Sequence, residues 1–436
     1  MRRRAPRALR SKKQGGAPGF LVWNKAEHAW LAASEPERLS ALLAGTAAPM
    51  AEHEEGILAA KRSVEDAIEH LSRIGVTHVR TDLSWANWSW DQGRRWASWC
   101  IKRYAERFSV LPCLTYTPPN LGMCRRTNAP PMQPVSYAEF VADAIGSLGH
   151  CFEEVELWNE WNLDTDWDLL LDPDYWILSR MLAEGAIVAR HYGKRTVFGG
   201  CAGTDDPTLT NLSRLAGRGL MRCFDVVGFH GLRGTWGDRK PAPSIPSQLR
   251  AVRGSLFVPI TRAELLRDAI VRDAHHASAP VREILLAGCS RVTEPVLRMP
   301  SIWLTEYGFP VSGAGTERSD EELEDIQAAL FAYATYLMRS RQVERVYWYT
   351  LGDLPPGTQT IRGLLTDWND DLQLSYGIIS VERKQRRLGR LLAEGGADRV
   401  LSALCAEGKL PLVDAASLGR ILPADYVTNN ENRHRA

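Results

Sequence analysis

The 436-residue chain is short of several things, and each shortage removes a class of function. It has eight cysteines but no Cys-x-x-Cys pair, so their spacing describes neither a thiolate zinc site nor a small disulfide framework. Free thiols in a reducing compartment are the expectation. No run approaches the roughly 18 apolar residues of a membrane-spanning helix. No G-x-G-x-x-G occurs either. The nearest stretch, "GGCAGT" at 199–204, has the wrong spacing for a phosphate cradle and reads as a tight strand-to-helix turn.

Charge of one sign is also missing. The formal net charge is +1, which argues against nucleic acid or an acidic partner. Basic residues concentrate only in "MRRRAPRALRSKKQGG", which has no acid and no apolar stretch of a secretion signal. Residues 1–18 are expected to be a disordered, solvated tail, and the protein to be cytoplasmic without a membrane span. The pair His275-His276 has no third ligand nearby, so no metal is expected. Asp164, Asp166 and Asp168 lack the glycine and terminal glutamate of a calcium loop and read as a solvated loop.

What is present is ordinary globular composition, 44% hydrophobic and 24% charged, with a repeating pattern laid over it. Eight β-rich runs recur at 19–23, 77–83, 109–116, 154–159, 195–200, 224–230, 301–307 and 345–351. Several are continuously apolar, as parallel strands covered on both faces should be. Amphipathic segments separate them, including 63–75 and 319–340. Ser63 with Asp66 and Ser319 with Glu322 are spaced as helix-capping pairs. Eight alternating β and α units predict a (β/α)8 TIM barrel over residues 19–385. Glu160 and Glu306 lie further apart than three barrel units require. The surplus falls between His230 and Ser301, which predicts an insertion between strands 6 and 7. Residues 386–436 are expected to be a short helical extension and tail.

In such a barrel the C-terminal strand ends converge on one face. Strand 2 brings Arg80 and Asp82, followed by Trp85 in "WANWSW". Strand 4 ends in "VELWNEWNLD" with Asn159 and Glu160 between Trp158 and Trp161. Strand 6 ends in His230, strand 7 in Glu306 and Tyr307, and strand 8 in Trp348. Two carboxyls across an indole-rich pocket suit cleavage of a glycosidic bond, one protonating the leaving oxygen and the other attacking C1 or activating water. Trp85, Trp88, Trp161, Trp236 and Trp348 sit at or beyond strand ends, where stacking on sugar faces is expected. Trp96, Trp99 and Trp176 fall in helical segments and read as packing residues.

The motifs "LWNEWN", "DVVGFHG", "IWLTEYGFP" and "VYWYTLGD" together resemble the strand 4, 6, 7 and 8 signatures of clan A glycoside hydrolases, the retaining barrels, and within that clan family 39. The resemblance implies that Glu160 is the acid/base and Glu306 the nucleophile. It also implies that Asn159 bonds the sugar 2-hydroxyl, that Arg80 holds the nucleophile ionised, and that Trp348 is the sugar platform. His230, Trp236, Tyr307 and Trp85 complete the expected binding set by their positions at or beyond strand ends. No cofactor is implied, and the implied partner is an oligo- or polysaccharide. The clan carries a tyrosine two residues after the strand 6 histidine, where this chain has Leu232; Tyr307 or Tyr349 are the candidates to replace its hydroxyl. The alternatives are a carbohydrate-binding barrel without catalysis and a transglycosylase.

Overall fold

The computed structural model describes residues 17–22, 50–231, 245–294, 299–311, 319–353, 377–380 and 382–408. Eight strands form a closed, all-parallel barrel in sequence order: β1 (Gly19–Leu21), β2 (His78–Ser84), β3 (Ser109–Thr115), β4 (Glu154–Leu157), β5 (Arg195–Ala202), β6 (Val226–His230), β7 (Ser301–Tyr307) and β8 (Arg345–Trp348). β1 closes the ring against β8 through Gly19–Tyr347 and Phe20–Trp348. The architecture is the (β/α)8 barrel that the alternation of β and α patterns predicts.

Alternation along each strand divides the chain into two environments. Outward residues pack under the helices in one large apolar cluster, with Phe20 and Trp348 both meeting Phe331 of the helix Asp320–Arg339. Inward residues begin apolar at the N-terminal end, where Leu111, Val197, Val226, Trp303 and Tyr347 form their own cluster. Towards the C-terminal end the inward positions become Arg80, Cys113, Glu156, His230 and Glu306. A polar layer inside a barrel is costly unless every charge is paired.

Between β6 and β7 lie the helices Ile245–Leu256, Ala263–Ala274 and Ala279–Gly288, where a barrel unit requires only one, so the expected insertion is present. Arg180, from the helix Trp176–His191, holds it with a hydrogen bond to Asp273 at 2.7 Å. The expected terminal extension contains a helix, Arg387–Ala406, whose entry is tied to the end of the barrel by Arg386–Asp353 at 2.6 Å. Ser319 and Glu322 form the expected capping box. Ser63 does not start a helix: the helix runs Met50–Arg73, because good helix formers precede Ser63 and carry the turn through it. The basic tail 1–16 lies outside the described residues. The eight cysteines are all free. No helix among the described residues is long and apolar enough to cross a membrane.

Candidate active site

The two indoles around Asn159-Glu160 are anchors rather than walls. Trp158 donates its Nε1–H to the Asp166 carbonyl at 3.1 Å and meets Tyr137 and Trp167 edge-on. Trp161 packs against Tyr175 and Phe198. With both indoles buried outwards, the residues between them are left on the barrel's inner side. The backbone is bent to do this: φ is +71° at Trp158 and +33° at Glu160, in the left-handed region that non-glycine residues avoid. Such conformations cost about 1–3 kcal/mol each and persist where surrounding packing fixes them. Here the Glu160 N–H is held by the Gly200 carbonyl at 2.8 Å. Asn162 adds a paired clasp to the Ala202 backbone, at 2.8 and 2.9 Å.

The glycine pair in β5 makes room for the site. A Cβ on Gly199 would lie 2.2 Å from the Trp158 carbonyl oxygen. One on Gly200 would lie 2.3 Å from His230 Nε2 and 2.5 Å from Thr305 Oγ1. The "GGCAGT" stretch is thus neither a phosphate loop nor only a turn; it lets β4 and His230 approach a strand backbone closely.

Arg80 is the hub. It is 1% exposed and donates from Nε to Glu156 at 2.5 Å, from Nη1 to Glu306 at 2.9 Å and from Nη2 to Asn159 Oδ1 at 2.7 Å. The ion pair with Glu156 was not foreseen, although an acid alternating with apolar residues in "EVEL" is a readable sign of an inward polar position. His230 places Nδ1 2.9 Å from Glu160 Oε1 and 3.6 Å from Glu306 Oε2. A carboxylate oxygen from each glutamate and a ring nitrogen of His230 all lie within 4.8 Å of one another. The structure therefore brings Arg80, Asn159, Glu160, His230 and Glu306 together, as their motif positions require.

Burial controls the protonation behaviour. It pushes the Glu306 carboxyl above its ordinary range; His230 and Arg80 pull it down, while Asp82 and Glu156 push it further up. The expectation that Arg80 holds Glu306 ionised is opposed by burial, the largest influence on that carboxyl. Burial likewise lowers the His230 imidazole below its usual value, so the ring is neutral at pH 7. A neutral imidazole accepts from a protonated Glu160 or donates to an ionised one by changing tautomer. The contact can thus survive either state of that carboxyl.

Four expectations are not met. Trp85 is not a sugar platform: it lies in the helical turn Trp85–Trp88, stacked on Phe140 at 5.7 Å and edge-on to Tyr137. Trp348 is fully buried between Tyr307 and Phe331 on the outward side. With Tyr347 inward, alternation assigns the next inward position of this strand to Tyr349. Tyr307 faces outward with Trp348, since a register shift between Leu304 and Tyr307 turns Glu306 inward instead. The Asp164–Asp168 stretch is not simply solvated, because Asp166 and Asp168 are buried. Trp236 and Leu232 lie outside the described residues.

Glu160, His230 and Glu306 are also the one group among the described residues with metal-ligand spacing. Arg80 already supplies a positive charge to Glu306, and a second cation beside it would be repelled.

No protein-family model matches the chain, and no curated protein matches it. Solved structures with a similar trace include a glucosidase from Croceicoccus marinus, at 12% identity and TM-score 0.45, covering 75% of this chain and 63% of that one. The chain thus spans less than two thirds of that glucosidase. A GH53 catalytic domain from Ignisphaera aggregans aligns at 14% identity and TM-score 0.43, over 74% of this chain and 87% of that one. An endo-laminarinase from Formosa Hel1_33_131 aligns at 9% identity and TM-score 0.44, over 77% and 82%. At such identities the likeness does not extend to activity.

Proposed function

We propose that the protein is a retaining β-glycosidase of the clan A type, resembling family 39 in its strand-end motifs, and acting on an oligo- or polysaccharide. The observation that carries this reading is the facing pair Glu160 and Glu306, with oxygens within 4.8 Å. Retaining glycosidases hold their carboxyls about 5–5.5 Å apart, and inverting ones about 6.5–9.5 Å to admit a water between them. The spacing supports double displacement.

In the first step Glu306 attacks C1 while Glu160 gives its proton to the departing glycosidic oxygen; the C1–O bond breaks and a glycosyl ester forms. In the second, Glu160 takes a proton from water, whose oxygen attacks C1 and releases Glu306. His230 holds Glu160 through Nδ1 at 2.9 Å, donating to that carboxyl when it is ionised. Arg80 binds both Glu306 and Asn159, which supports the reading that the Asn159 amide bonds the sugar 2-hydroxyl as the oxocarbenium-like transition state develops.

Aryl β-glycosides of xylose, glucose, mannose, galactose and arabinose provide the test. At least one should be hydrolysed with retention at C1, and Glu306→Gln should remove that turnover while leaving the circular dichroism spectrum unchanged. A Glu306→Gln variant with the full rate would reject the assignment. Leu232, in place of the clan's tyrosine, favours a second reading: a barrel that binds sugar without cleaving it. In that case oligosaccharides would bind and none would be cleaved.

A further inference from the structure

Asp166 lies on the loop after β4, buried, seven residues beyond Asn159. Its Oδ1 accepts from Asn159 Nδ2 at 3.1 Å, and its Oδ2 accepts from the Thr165 hydroxyl at 2.8 Å. On the other side of the same amide, Arg80 donates to Asn159 Oδ1 at 2.7 Å. The Asn159 amide is therefore gripped at both ends, by a group that can only donate and by a carboxyl that accepts. Turning the amide over would set NH2 against guanidinium and carbonyl against an ionised carboxyl, two repulsive contacts in place of two bonds. One Nδ2 hydrogen goes to Asp166, and among the described residues no hydrogen bond takes the second.

We propose that Asp166 is a positioning residue that fixes the polarity of the Asn159 amide, so that Asn159 presents an N–H, and not its carbonyl, to the sugar hydroxyl beside the anomeric carbon. This rests on the glycosidase reading for its consequence, but not for its geometry. A pocket hydroxyl facing a fixed N–H is recognised as an acceptor, so the site selects substrates with a free 2-oxygen and discriminates against 2-deoxy and 2-acylated sugars. The charged groups facing Asp166 are Asp82 and Arg80 of β2, and its own carboxyl is pushed up to about 7, by burial first. An ionised Asp166 holds the amide by a charge-assisted bond, which is the stronger form.

The experiment has two arms. On the best aryl β-glycoside, Asp166→Ala should lower kcat/KM about 10- to 100-fold, and on its 2-deoxy analogue less than about threefold, because the contact it supports is already gone there. Asp166→Asn, whose amide oxygen can still accept from Asn159, should recover most of the loss. Equal losses on both substrates would mean a merely structural role and overturn the proposal, as would no loss on either. The second arm uses full-length protein labelled with 15N only at asparagine. The Asn159 side-chain amide, identified by its disappearance in Asn159→Ala, should shift with pH around 7 in the parent protein and not in Asp166→Asn. A signal indifferent to both pH and Asp166→Asn refutes the grip on Asn159, whatever the turnover. If the signal behaves as expected while no glycoside is hydrolysed, the glycosidase reading fails and the Asp166 grip stands without its 2-hydroxyl consequence.

Discussion

Replacing Arg80 with methionine is the most informative perturbation of the site's stability. Methionine keeps much of the apolar stem and removes the guanidinium that binds Glu156, Glu306 and Asn159. Breaking a buried ion pair by deleting one partner costs about 3–5 kcal/mol, because the other charge is left uncompensated. Here two carboxyls lose their cation, and protonating Glu306 can lower the cost. In the parent, the folded Glu306 pKa is already raised above 4.5; without Arg80, one of the groups pulling it down, it rises further. Between about 4.5 and that raised value the folded variant binds more protons than the unfolded chain, so its stability falls as pH increases through this window. Urea denaturation at pH 5 and pH 8 should therefore show the larger loss at pH 8, about 3–5 kcal/mol, with a smaller one at pH 5. Adding Glu156→Gln should restore part of the loss at pH 8. A cost below about 1 kcal/mol at both pH values would refute the hub role given to Arg80.

Other perturbations follow from the same geometry. Gly200→Ala, which drives a methyl into His230 and Thr305, should unseat His230 and cut kcat at least about tenfold with a stability loss of about 1–3 kcal/mol; unchanged kinetics would contradict the close approach. Trp85→Phe, within its stack on Phe140, should reduce the melting temperature and leave KM within about twofold, whereas a large rise in KM would return Trp85 to the sugar-binding wall. Because burial raises the Glu306 pKa, the acid limb of kcat/KM against pH should lie above 4.5; a limb at or below that value would show Arg80 winning over burial.

The barrel was legible because its signals are local and repeated. Continuous apolar strands, helical segments between them and the capping pair at Ser319 each announce themselves within a few residues. The convergence of Asn159, Glu160, His230 and Glu306 at strand ends was legible for the same reason, since parallel topology alone brings those ends together, and Arg80, the third residue of β2, reaches them through its long side chain. The tryptophans were not. Which face a strand-end indole takes depends on single-residue shifts, such as that between Leu304 and Tyr307, and no periodicity records them. Trp348 and Tyr307 therefore turned outward together. Asp166 was hidden because its role arises in a loop, through a contact with Asn159 that no spacing rule encodes. The sugar and linkage are illegible for a related reason: the loops above the strand ends, and not the strands, decide which hydroxyls are met.

The central claim is that Glu306 attacks an anomeric carbon while Glu160 serves the leaving oxygen from the other side. Incubation with activated 2-deoxy-2-fluoro β-glycosides, followed by proteolysis and mass spectrometry, tests it directly, since the fluorine slows release of the glycosyl ester. The account predicts one covalent sugar on the peptide containing Glu306, in a protein that loses activity as the label accumulates. Hydrolysis of the parent glycoside with no label from its fluorinated analogue, or a label on Glu160, would contradict it.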